Sequence, residues 1–112
     1  MPQFVLMLRD AGIWPGDLSP EEIQALMLKY RTWMEKIGGN GHKLRDREGR
    51  ILVGNNAGKN GVSVTDGPYA ESKEILGGYM LVEADSYDDV VRQCQDSPHL
   101  AFGSIEIRQI ER

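Results

Sequence analysis

The densest cluster of ionisable residues is Val64-Thr65-Asp66-Gly67-Pro68-Tyr69-Ala70-Glu71-Ser72-Lys73-Glu74. Gly67 opens backbone conformations closed to other residues, and Pro68 fixes the next step. Asp66 is therefore expected at a strand end with its carboxylate turned into a groove, where it can act as a base or orient a ligand. Glu71 and Lys73 leave the same turn, and Tyr69 adds a polar aromatic. Against this stands the simpler role of Asp66 as the cap of the turn that follows it. Arg9, at the end of an apolar segment, is a further candidate to face the Asp66 groove. His42 and His99 are the two histidines, and an imidazole is the natural proton carrier near neutral pH.

Other residue types point to less. Two histidines and one cysteine, widely separated, offer no metal-ligand spacing. The glycine-rich segments Gly38–Gly41 and Gly54–Gly61 match neither a phosphate-binding loop nor a dinucleotide fingerprint, so no cofactor is called for. Cys94 falls on an apolar helical stripe and reads as a small core residue. Tyr30 and Trp33 at helical spacing also read as core. Lys43, Arg45, Arg47 and Arg50 interleave with Asp46 and Glu48, as on a solvated face.

The elements that must position these residues follow from periodicity. Phe4 to Leu8 is apolar without alternation, as in a strand covered on both faces. Ser19-Pro20-Glu21-Glu22 is a capping box, and Ile23, Leu26, Met27, Tyr30, Trp33, Met34 and Ile37 then form one helical stripe that ends at Gly38-Gly39. Lys43 to Val53 reads as a hairpin turning at Arg47-Glu48-Gly49. Val62 to Thr65 alternates like a half-wet strand, and Ala70 to Leu76 reads as a short helical turn. Tyr79 to Val82 is a second unalternated strand, Ser86 to Asp96 a second capped helix, and Ser104 to Ile110 a closing strand.

Strand, helix, strands, strand, helix, strand predicts one domain over residues 1–112, a ferredoxin-like α+β layer with two helices on one face of an antiparallel sheet. Two helices cover one face. The apolar runs at Phe4–Leu8 and Tyr79–Val82 leave the other needing cover, which predicts a homodimer packed sheet against sheet.

Composition narrows the partners. The chain has 112 residues, with 13 Lys and Arg against 17 Asp and Glu, a net charge of −4. That balance disfavours binding to nucleic acid. The longest apolar run falls far short of the ~20 residues that span a bilayer, so no membrane association is expected. Met1-Pro2-Gln3-Phe4 shows no charged leader, and a cytoplasmic protein is expected.

The Asp66–Glu74 segment resembles the motif of the YCII-related family in its DGPF-domain branch, Asp-Gly-Pro-Phe-Ala-Glu-Thr-Lys-Glu followed by Leu-Gly-Gly and an aromatic. Here it reads Asp66 to Glu74 with Tyr69 for Phe and Ser72 for Thr, then Leu76-Gly77-Gly78-Tyr79. The two helices and the last strand also fall where that family has them. The resemblance implies a ferredoxin-like subunit that dimerises into an α+β barrel. It implies a pocket with a His–Asp pair, whose aspartate carries over to Asp66. The histidine has two candidates, His42 and His99, neither in a matching motif. Relatives of the barrel include lyases, isomerases and monooxygenases acting on small molecules. A small-molecule ligand beside the Asp66-Gly67-Pro68-Tyr69 loop, and lyase or isomerase chemistry, are therefore expected. The alternative is a non-catalytic regulatory or partner-binding module, since the branch occurs beside extracytoplasmic-function sigma factors.

Overall fold

Ser19 starts the first helix as its sequence requires. In the computed structural model its hydroxyl accepts from the Glu22 amide, the Glu22 carboxylate accepts from the Ser19 amide, and Pro20 occupies the first turn. The structure describes residues 1–10, 18–45, 48–54, 61–67 and 75–111, and every structural statement concerns these. The elements are β1 (Gln3–Asp10), α1 (Pro20–Ile37), β2 (Asn40–Lys43), β3 (Arg50–Gly54), β4 (Val62–Asp66), β5 (Ile75–Glu83), α2 (Tyr87–Cys94), a 3-10 turn (Pro98–Ala101) and β6 (Gly103–Gln109). Helix α1 stops at Gly38, whose φ of 68° is the left-handed conformation that glycine accepts without strain.

Four strands form one antiparallel sheet in the order β2-β5-β1-β6. With the two helices this is the ferredoxin-like α+β arrangement, into which β3 and β4 are inserted as a separate two-stranded sheet. Lys43–Val53 is thus not a hairpin. β2 pairs with β5, while β3 pairs with β4 across the asparagine- and glycine-rich segment. The β-branched and apolar residues decide this, because Leu52 stands opposite Val64 in the β3–β4 register. Gly41 suits β2 for another reason. A Cβ there would lie 2.6 Å from the Tyr79 carbonyl, so only glycine allows that approach to β5. The helical turn read over Ala70–Leu76 lies mostly outside the described residues, and its last residue, Leu76, belongs to β5.

Period two governs β1 more than its composition suggests. Phe4 and Leu6 are fully buried, whereas Val5 and Met7 are half-buried. Phe4, Leu6, Met80, Val82, Ala84, Trp33, Val90 and Cys94 make the core between the sheet and the helices, with Leu8, Ile105 and Ile107 packed against it. Trp33 donates from Nε1 to the Gln93 carbonyl at 2.9 Å and ties α1 to α2. The other face of the sheet carries Val5, Met7, Tyr79 and Leu81, together with the Arg9–Glu106 ion pair. It is half polar rather than uniformly apolar.

Candidate functional site

Alternation along β1 continues past the core. Phe4, Leu6 and Leu8 face the helices, so Asp10 does as well, and Arg9 faces away. Between Leu8 and Arg9 the pairing with β5 slips: Leu8 pairs with Gly78 and Arg9 with Leu76, which leaves Gly77 as the extra residue of a bulge. The Asp10 carboxylate lies against the bare Cα of Gly77, in space that a Cβ would fill. Asp10 is thereby delivered to the end of a cavity of about 180 Å³.

Five elements line this cavity: β1 with Leu8 and Asp10, α1 with Met27, Tyr30 and Met34, β2 with His42 and Lys43, β5 with Gly77 to Met80, and the 3-10 turn with His99. The walls are apolar, and the ionisable groups Asp10, Tyr30 and His99 interact at its Asp10 end. His99 is placed by Ser97, whose hydroxyl caps the 3-10 turn by accepting from the His99 amide at 3.2 Å. The imidazole is buried, at 3% exposure. Its Nε2 stands 2.9 Å from the Arg9 carbonyl and 3.9 Å from Asp10 Oδ1, and its Nδ1 stands 3.0 Å from the Tyr30 hydroxyl. A carbonyl can only accept, so Nε2 carries the hydrogen in the neutral ring and bare Nδ1 accepts from Tyr30. Gly103 makes the first of these bonds possible, because a Cβ there would overlap the Arg9 carbonyl. Burial pushes the Tyr30 hydroxyl up to about 12, and the Asp10 charge adds to the rise.

Asp10, His99 and Tyr30 form a chain able to hold and move a proton. The phenol at Nδ1 extends this chain into the cavity. No group of three or more His, Cys, Asp or Glu among the described residues is placed to hold a metal ion. No helix among them is long and apolar enough to cross a membrane.

Of the residues singled out from the sequence, the structure brings the His99 ring to the cavity; His42 borders it from β2, but its ring lies beside Tyr79, centroids 5.9 Å apart, on the other face of the sheet. Arg9 contributes its carbonyl alone. Its side chain is on the opposite face, 3.3 Å from Glu106, so it does not reach the cavity as a substrate-binding group. Asp66 ends β4 with its side chain 90% exposed and 3.4 Å from Arg50, and it does not line the cavity. Parity puts it on the same face of the hairpin as Leu52 and Val64, both exposed. Tyr69, Glu71 and Lys73 lie outside the described residues. Sequence reasoning missed Asp10 and Tyr30. Asp10 was legible as the residue two beyond Leu8 on one strand face, and Tyr30 as a hydroxyl on an apolar stripe that needs a partner when buried.

Fold and site thus define a ferredoxin-like α+β protein with a small acid–base cavity between its sheet and first helix. The chain belongs to the YCII-related family: the YCII-related domain matches residues 11–112. No curated protein matches its sequence. Among solved structures it is similar to 5-chloro-2-hydroxyhydroquinone dehydrochlorinase from Burkholderia phenoliruptrix AC1100, solved in complex with 2,5-dihydroxybenzoquinone, at 14% identity and a TM-score of 0.50, over 98% of this chain and 94% of that one. At that identity the likeness establishes the shared fold.

Proposed function

We propose that the protein binds a small organic molecule in the cavity between β1, β5 and α1, and that Asp10, His99 and Tyr30 move a proton on it. Removal of a proton is the first step shared by eliminations and isomerisations, so the activity is of the lyase or isomerase kind. The observation that carries this reading is His99, buried, with a carbonyl on one ring nitrogen, a phenol on the other and a carboxylate 3.9 Å away, all at one end of an apolar cavity. The dehydrochlorinase that shares the fold was solved with a small cyclic compound, which supports a ligand of similar size here. The working unit in this reading is a cytoplasmic homodimer. The open sheet face with Val5, Met7 and Leu81 is the surface for a second copy, and a lone thiol such as Cys94 suits a reducing compartment.

The test is a thermal-shift screen of small cyclic hydroxy and keto compounds against the wild type and Asp10→Asn. Asparagine keeps the size of the side chain and removes its charge. Wild-type stabilisation that is lost in a folded Asp10→Asn protein is the expected result. Equal stabilisation of both by every compound that binds would overturn the role of Asp10, and no stabilisation by any compound would overturn the cavity as a binding site.

A further inference from the structure

His99 is poorly placed to touch a ligand itself. It is 3% exposed, and both ring nitrogens are engaged, Nε2 at 2.9 Å from the Arg9 carbonyl and Nδ1 at 3.0 Å from Tyr30. The hydrogen bond at Nδ1 leads from the imidazole to the Tyr30 oxygen on α1, which lines the cavity, while the Asp10 carboxylate stands 3.9 Å from Nε2 on the other side of the ring. With its own hydrogen committed to Nδ1, that oxygen offers lone pairs to whatever enters. A ligand that brings a carbonyl or carboxylate to this point meets lone pair with lone pair, whereas one that brings a hydroxyl completes the chain. The walls beside Tyr30 are Met27, Met34 and Met80, thioether side chains that pack well against a flat ring.

Building on the proposed function, we infer that Tyr30 is the catalytic residue that meets the ligand, and that the ligand is a small ring compound with a weakly acidic hydroxyl, a phenol or cyclic enol. The ligand O–H bond breaks and its proton goes to the Tyr30 oxygen. The original Tyr30 O–H bond breaks and that proton goes to Nδ1 of His99. Two protons each move one place, a net transfer of one from ligand to imidazole; no electrons are lost or gained, and the products are a ligand anion and an imidazolium. The groups facing that imidazolium are the Asp10 carboxylate from β1, the Arg9 carbonyl and Tyr30 from α1. Lys43 lines the same cavity from β2, while the His42 ring, beside Tyr79, and the Arg9 guanidinium are turned to the far side of the sheet. A hydroxyl raised to about 12 does not rest as a phenolate, so the two transfers are coupled. The arrangement resembles a serine–histidine–aspartate triad with a phenol in the serine position and the Arg9 carbonyl, not the carboxylate, accepting the second ring hydrogen; it moves a proton rather than forming a bond to carbon.

The full-length protein can be tested with 4-nitrophenol, whose neutral and anionic forms absorb at different wavelengths, and with 4-nitroanisole, which has the same ring and no hydroxyl. The wild type is expected to lower the ionisation midpoint of bound nitrophenol by about one pH unit or more, a tenfold shift in its equilibrium. It is expected to bind nitroanisole at least about tenfold more weakly, because a site built to accept a hydroxyl rejects the analogue that lacks one. Tyr30→Phe keeps the ring and is expected to bind both compounds alike, with the nitrophenol midpoint back at or above its free value. An unshifted midpoint in the wild type, equal binding of the two compounds by the wild type, or a shift that persists in Tyr30→Phe would each overturn the role of Tyr30 while leaving the cavity standing. Failure of the wild type to bind either compound at millimolar concentration would remove the cavity reading and this one together. The comparison of the two compounds on the wild type needs no variant to fold.

Discussion

The carboxylate of Asp10 occupies the space where a side chain on Gly77 would stand. The bulge at Gly77 therefore does more than bend β5: it seats the acid beside His99. The atoms that a new Cβ would meet belong to the end of a side chain, which can turn aside, rather than to backbone. Gly77→Ala is thus expected to cost about 1 kcal/mol of stability, the low end for overpacking, while displacing Asp10 and weakening ligand binding several-fold. Urea denaturation and ligand titration on the same preparation separate the two effects. A loss of stability without a change in binding would show that Gly77 serves the bulge and not the acid.

Tyr30 makes a pH prediction whose sign follows from its shift. Its hydroxyl is raised from the ordinary 10.0 to about 12 in the folded protein, chiefly by burial. Between those values the unfolded chain loses the tyrosine proton first, so stability is unaffected by this group below about pH 10 and declines toward pH 12. Denaturation of the wild type and Tyr30→Phe across that range should show a steeper decline in the wild type. At neutral pH Tyr30→Phe should be less stable by about 1–2 kcal/mol, because Nδ1 of His99 loses its donor.

Cys94 is expected to be inert in the folded state. Burial pushes its thiol up to about 11, with the neighbouring Asp96 charge adding to the rise, so little thiolate is present near neutral pH. A thiol reagent should label the native protein at least about tenfold more slowly than the denatured chain. Rapid labelling of the native protein would mean that α2 opens readily from the core.

Leu81 probes the homodimer. It lies between buried Met80 and Val82 but on the opposite face of β5, and it is 39% exposed in the single chain. Light scattering is expected to give a dimeric mass for the wild type and a monomeric mass for Leu81→Lys, since an unpaired charge at the centre of a sheet-to-sheet contact is strongly unfavourable. A wild type that is already monomeric at micromolar concentration would remove the dimer from the proposal.

Asp66 separates the loop from the cavity. Its side chain is exposed beside Arg50, and exposed ion pairs contribute roughly 0–1 kcal/mol. Asp66→Asn is expected to keep both stability and ligand affinity close to wild type. A large loss of binding in a well-folded Asp66→Asn protein, measured by calorimetry, would return the chemistry to the Asp66–Glu74 segment.

Local chemistry set much of this protein in advance. The capping boundaries of α1 at Ser19 and Gly38, the Ser86 cap of α2, the apolar stripe through Trp33 and the strand–helix order that makes the sheet ferredoxin-like all depend on neighbours within a few residues, where spacing and side-chain type suffice. Tertiary structure decided two other matters. Pairing chose β4 over β2 as the partner of β3, because strand partners are selected by cross-strand contacts between distant segments. It also assembled Asp10, Tyr30 and His99, which are 20 to 89 residues apart in the chain and of which two look like a strand end and a core aromatic when read alone. A motif with many ionisable residues in a row is conspicuous in sequence, whereas a proton chain depends on distances across the fold, which only packing fixes.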